Sequence, residues 1–130
     1  KKILPAPRSR AFDDVAAIDR EIIAGLRDLR ESGQPDPLSE LVELFLKDSR
    51  PRLERMETSV AEADQQALAA ASHAIKGSAS NLGARRLAAL CASLEKIANS
   101  GDLSEAANIL LDVRSEFHRV EQALAAELQS

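Results

Sequence analysis

The 130-residue sequence contains no Trp, no Tyr, three Phe, one Met and one Cys. With aromatics at 2%, it is short of the residues that favour the pleated, half-buried surfaces of a β-sandwich or barrel. The lone Cys91 excludes an intrachain disulfide and a Cys-rich metal framework, and points to a reducing, cytoplasmic setting. No apolar run approaches the ~20 residues needed to cross a bilayer. The opening Lys1-Lys2-Ile3-Leu4-Pro5 is not followed by the apolar core of a signal peptide. The segment is therefore expected to make no direct membrane contact. Its net charge of −4 lacks the basic field that nucleic acid requires, so no nucleic-acid partner is expected. Acid is itself missing from one stretch. Residues 65–94 carry Lys76, Arg85 and Arg86 without any Asp or Glu, a local +3, whereas the remainder holds 14 basic and 21 acidic side chains, or −7.

What is abundant is alanine, 23 residues of it, alongside many leucines. These two types lead the helix-propensity scale, and small alanines let helices pack closely. The expectation is an all-α fold without a sheet. Residues 1–11 contain Pro5, Pro7 and several cations with no apolar period, and read as a linker or flexible arm; one helical domain follows over 12–130. Without an initiating Met, the chain reads as a piece of something longer.

Asp19 is placed to cap a short helix over 20–31, with Ile18 stapling against Ile23 and a stripe of Ile22, Leu26 and Leu29. Asp36-Pro37 opens a second helix carrying Leu38, Leu41, Val42, Phe45 and Leu46. Pro51 interrupts it, but Leu53, Met56 and Val60 resume the stripe, so one kinked helix to about residue 63 is expected, with a true break as the alternative. Asp64 caps a third helix with Leu68, Ala71, Ile75, Ala79 and Leu82 inward. After the turn residues Asn81-Leu82-Gly83, a fourth helix over 84–99 buries Leu87, Leu90, Cys91, Leu94 and Ile97. Asp102-Leu103-Ser104-Glu105 has the capping-box pattern, opening a fifth helix with Leu103, Ala107, Leu110, Val113, Phe117, Val120, Leu124 and Leu128 on one face. Four long helices with short connections give an antiparallel four-helix bundle, with the additional short N-terminal helix laid across it.

His73 lies two residues from inward-facing Ile75, about 200° round a helix of ~3.6 residues per turn, and so faces solvent. One turn later stands Gly77, which costs about 1 kcal/mol relative to Ala in mid-helix, in a segment that otherwise uses Ala freely. Ala69, Ser80 and neutral Gln66 share its face, leaving the imidazole unobstructed. Lys76, three residues on, can reach an anion held near the ring. Neutral imidazole is a nucleophile; a group that holds one ring nitrogen as N–H frees the other to attack, and a neighbouring cation offsets the charge of a phosphoryl group in transfer.

The stretch His73-Ala74-Ile75-Lys76-Gly77-Ser78-Ala79-Ser80-Asn81-Leu82-Gly83-Ala84 resembles the His-x-x-Lys-Gly-[Ser/Ala/Gly] motif and later Leu-Gly or Phe-Gly turn of the histidine-containing phosphotransfer (HPt) domains of two-component relays. The similarity extends through Arg86-Leu87 and Cys91-Ala92-Ser93-Leu94-Glu95, and back to Leu44-Phe45-Leu46-Lys47-Asp48. It implies a phosphohistidine carrier that exchanges its phosphoryl group with the aspartate of a receiver domain in a response regulator or hybrid kinase, where the receiver supplies Mg²⁺ and this chain binds no cofactor or metal. It further implies that His73 is phosphorylated on the nitrogen distal to the backbone, that Lys76 aids the phosphate and that Gly77 makes room for the receiver. Glu95 would hold the proximal ring nitrogen; a helix pair with Lys96 or Asn99 is the alternative for it. Ile18 and Ile22 are carried over as docking residues, with core and staple roles open to both, and Ala69 and Ser80 line the same contact.

Arg85 and Arg86 read as solvated or rim cations, His118 as a plain surface histidine, and Cys91 as a buried, inert thiol. The dimerisation domain of a histidine kinase is a rival, but that family follows its histidine with an acid and a nearby proline, and here Ala74 follows and no proline lies after Pro51. There is also no Gly-rich nucleotide-binding domain. A carrier without its own ATP site, monomeric, is therefore expected; a helical interaction module that docks receivers without phosphotransfer is the other reading.

Overall fold

The computed structural model describes residues 16–29, 33 and 36–129. The expected arm over 1–11 lies outside the described residues. Among those described, the architecture is all-α: α1 (Arg20–Arg27), α2 (Pro37–Glu62), α3 (Gln65–Asn81), α4 (Arg85–Ser100) and α5 (Ala106–Gln129). Helices α2 to α5 close a ring in which each packs on its sequence neighbour and α5 returns to α2; α1 lies against α2 at one end. This is the expected antiparallel four-helix bundle with a short additional helix.

Three of the caps follow from local chemistry. The carboxylates of Asp19, Asp36 and Asp64 accept from the backbone N–H groups of Glu21, Leu38 and Ala67, satisfying donors that the first turn leaves orphaned. Helix α2 runs unbroken through Pro51, which is exposed, so water can serve the carbonyl its missing N–H leaves behind. Ala63, left-handed at φ 54°, ends α2 and turns the chain directly into α3.

The core joins all five helices. Ile23, Leu38, Met56, Leu68, Ile75, Leu87, Leu94, Val113, Val120 and Leu124 are essentially inaccessible. Phe45 and Phe117 stack across α2 and α5 with ring centroids 5.7 Å apart.

Four details depart from the sequence pattern. Helix α1 ends at Arg27, short of the expected residue 31, and leaves Leu29 66% exposed outside its stripe. Leu41 and Leu128 sit at the margins of their stripes and are also exposed. At α5 no capping box forms: the Asp102 carboxylate accepts from Ser104 N–H, the helix starts at Ala106, and Ala106 rather than Ala107 is buried. Finally, Ser49, Ser59, Ser72 and Glu116 are buried among the apolar residues, Glu116 with its carboxylate 2.9 Å from the Arg119 guanidinium.

Candidate functional site

Helix α3 presents His73 outward from mid-helix while Ile75, Ala71 and Ala79 anchor the opposite face. The side chain of His73 is 68% exposed. Because α4 runs antiparallel to α3, its last third passes beside the middle of α3 and brings Glu95 to the ring. His73 Nδ1 lies 3.0 Å from Glu95 Oε2, and Lys76 Nζ donates to Glu95 Oε1 at 2.8 Å. A carboxylate only accepts, so the bond to Nδ1 places the proton there and leaves the lone pair of Nε2 directed away from the protein. Glu95 is therefore tied to both side chains of the neighbouring helix and is not diverted into a pair with Lys96 or Asn99.

Lys76's hydrogen bond is the main reason the Glu95 carboxyl titrates below its ordinary value; partial burial opposes this, and the His73 bond reinforces it. Glu95 is thus a carboxylate at neutral pH. One turn before it, Cys91 is buried, and desolvation pushes its thiol up to about 12 against the weak opposing pull of Lys76. It stays a neutral apolar spacer beneath the site.

Gly77 is exposed, and a Cβ built on it would meet nothing within 4 Å. No packing within the described residues requires a glycine there. Ser80, exposed, turns its hydroxyl back to the Lys76 carbonyl at 2.9 Å, while Ala69 is half-buried against the core. Small residues, Ala69, Gly77 and Ser80, share the face of the ring.

The two docking candidates on the α1 segment fare differently. Ile18 is 5% exposed and belongs to the core, the packing role that stood open for it beside docking. Ile22 is half-buried and packs over Gly83. The clamp responsible escaped sequence reasoning. Asp19 N–H donates to the Gly83 carbonyl at 3.0 Å, and Arg85 reaches Asp19 Oδ2 at 2.6 Å. Gly83 has φ +73°, and a Cβ there would come within 2.7 Å of Asp19 Cβ. Arg85 is the solvated cation expected, and it also pairs with Asp19. The Leu-Gly turn was visible in sequence; that its glycine is needed for the approach of another segment was not.

A second missed feature is an apolar cleft of about 110 Å³ toward the C-terminal end of α3, lined by Leu41, Leu44, Phe45 and Asp48 of α2 with Ser78 and Asn81 of α3. Leu44 is 53% exposed. An α2 with more leucines than one stripe can bury is the sequence signal for it.

The Hpt domain family matches residues 40–129, a span that holds His73, Lys76, Gly77 and Glu95. The chain belongs to this family. Hpt domains are the phosphohistidine carriers of two-component phosphorelays, and they act through the receiver domains of response regulators or hybrid kinases. The chain is 29% identical over 107 residues to histidine-containing phosphotransfer protein 2 of Arabidopsis thaliana, a match covering 80% of this chain and 66% of that protein. Among solved structures it is similar to histidine-containing phosphotransfer protein B from Pseudomonas aeruginosa PAO1, with TM-score 0.78, 31% identity and coverage of 87% of this chain and 95% of that one. A histidine-containing phosphotransfer protein from maize shares the fold at TM-score 0.77 and 21% identity, covering 94% of each chain. Helix α1 and the residues entering it lie outside the family-matched span. No helix among the described residues is long and apolar enough to cross a membrane.

Proposed function

We propose that this Hpt domain carries its phosphoryl group on Nε2 of His73 and exchanges it with the aspartate of a receiver domain. The observation that carries the reading is the double engagement of Glu95, 3.0 Å from His73 Nδ1 and 2.8 Å from Lys76 Nζ. Glu95 holds the ring in the tautomer whose Nε2 is nucleophilic, and Lys76 stands one turn away as the cation for the equatorial oxygens. The chain contributes position and charge, with no ATP site and no cofactor of its own; Mg²⁺ belongs to the receiver's pocket. The partner approaches over Gly77 and Ser80, where small residues leave clearance, and over the Leu41–Leu44 margin of the α2–α3 cleft, with Ile22 at the α1 edge. The domain works as a monomer in the cytoplasm.

Incubation with a phosphorylated receiver tests the reading. Wild type is expected to gain one acid-labile, base-stable phosphate, visible by ³¹P NMR, and H73Q none. Equal labelling of H73Q, or no labelling of wild type, would leave a docking module without phosphotransfer.

A further inference from the structure

The His73 site occupies the seam between α3 and α4, and in the closed ring of helices the seam opposite it is that between α2 and α5. This second seam opens to solvent as a groove of about 790 Å³, floored by Leu53 and Phe117 and edged by Leu111, which is 61% exposed. Two ion pairs bridge it. Arg50 of α2 reaches Glu121 of α5 at 2.7 Å, and Arg114 of α5 reaches Glu57 of α2 at 2.8 Å. On each helix the two bridging residues stand seven positions apart, so the bridges lie two turns, or about 10 Å, from one another. Their senses are opposite: the cation is on α2 in one and on α5 in the other. Between them Glu54 and His118 stand exposed at the same level on facing helices, and Glu54 has no ion-pair partner among the described residues.

This pattern is complementary to itself. A two-fold axis lying in the face, parallel to α2 and α5 and midway between them, sets the α5 of a second copy over α2 and its α2 over α5, with heights unchanged. Every charge then meets its opposite: Arg50 faces Glu121, Arg114 faces Glu57 and Glu54 faces His118, each twice. Leu111 lands over half-buried Val60 and exposed Ala61. An axis running across the helices would instead set Glu54 on Glu54 and His118 on His118.

We infer that the α2–α5 face is a docking surface for a second copy of this domain, related by the axis parallel to the helices. The bridges hold Arg50, Glu57, Arg114 and Glu121 in place before docking, so little side-chain freedom is lost when the opposing charge arrives. A partner surface of one charge sign would be repelled by half of the groove. Both His73 sites stay open on the outer sides of the pair. Phosphoryl transfer still needs a single chain, since His73, Lys76 and Glu95 all belong to it. The face from Arg50 to Ala61 is about 18 Å long and two helices wide, which places the contact among small, transient interfaces with a Kd on the order of 100 μM.

Sedimentation equilibrium of the intact chain tests this. At low ionic strength the weight-average mass of wild type is expected to climb from one copy toward two as concentration passes ~100 μM. In ~0.5 M salt, which screens exposed charges beyond a few ångströms, the Kd should rise roughly ten-fold. R50E/R114E makes the four bridge positions all acidic, and E57R/E121R makes them all basic. Each alone should stay monomeric, and an equimolar mixture should pair again, one of each. L111D touches no ion pair and replaces an exposed side chain, so it should weaken pairing with circular dichroism and melting temperature unchanged. Orientation is read by trapping with oxidised glutathione: E54C mixed with H118C should form an interchain disulfide faster than either does with itself. Four results would each overturn the inference: wild type monomeric to about 1 mM at low salt, either charge-reversed variant associating alone as wild type does, folded variants whose mixture stays monomeric, or E54C trapping itself in preference to H118C.

Discussion

The chain contains two histidines, and both are built alike at first sight. His73 and His118 have side chains 68% and 69% exposed; each lies near a glutamate, and each of those glutamates also binds a cation. The difference is in who holds whom. Glu95 comes from another helix and divides its oxygens, one to His73 at 3.0 Å and one to Lys76. Glu121 lies on His118's own helix, gives Oε2 to both Nε and Nη2 of Arg50, and stands 3.9 Å from His118 Nδ1, beyond a hydrogen bond. Arg50 and Glu121 tie α2 to α5; His118 is a bystander at the rim of a groove that Arg114 and Glu57 also bridge. Exposure and a nearby acid are common to both histidines; the cross-helix hydrogen bond and the open space beside the ring belong to His73, and on these the proposed carrier role rests.

That comparison can be broken most sharply by substituting each histidine. H73Q is expected to abolish phosphoryl acceptance from a phosphorylated receiver, and H118Q to leave its rate at the wild-type level; a lowered rate in H118Q would mean the two sites are not as unlike as the geometry makes them. Next in size are the cations. K76A should slow transfer by on the order of 10- to 100-fold, the scale of losing one charge-stabilising donor at a partly exposed site. R50A should leave transfer alone and cost under about 1 kcal/mol in urea unfolding, as exposed ion pairs do.

The residues one turn beyond each histidine give a smaller contrast. G77A removes a mid-helix glycine that nothing in the fold requires, so stability should rise by up to ~1 kcal/mol while transfer slows. Q122G should do the reverse, losing about 1 kcal/mol with transfer unchanged. If G77A transfers at the wild-type rate, clearance for the partner is not why glycine is there.

Smallest is the pH dependence. The Glu95 carboxyl is held below its ordinary value, chiefly by Lys76, so its pairing stabilises the fold fully above the unfolded carboxylate pKa and is lost as pH falls through the lowered folded value. The difference in urea midpoint between wild type and E95Q should therefore be flat near neutrality and shrink on acidification below the carboxylate range. A difference that persists unchanged in acid would show that Glu95 contributes packing alone.

Much of the candidate site was legible because it is local. His73, Lys76 and Gly77 lie within five residues on one helix, where spacing alone sets who neighbours whom. Glu95 was legible only through resemblance, since the register of α4 against α3 decides whether it meets His73 or pairs along its own helix. The serines at 49, 59 and 72 gave no signal, because a small hydroxyl can sit on either face of a helix. Ile18 stayed open between roles for a related reason: an isoleucine before a helix looks the same whether it staples, packs or docks, and its burial follows from how the segment carrying Asp19 meets Gly83 and Arg85 in the fold.

Composition, capping aspartates and the helical period of the apolar residues determined by themselves that this chain is a helical bundle and that His73 faces outward. These are short-range properties, settled within a turn or two of helix. What the tertiary structure decided is which distant residues complete the site. Antiparallel packing carries Glu95 across to His73 and Lys76, leaves His118 beside a glutamate already taken by Arg50, and folds the α1 segment onto the α3–α4 turn. Each depends on register between elements far apart in the chain, which the burial of the whole core selects and no local pattern encodes.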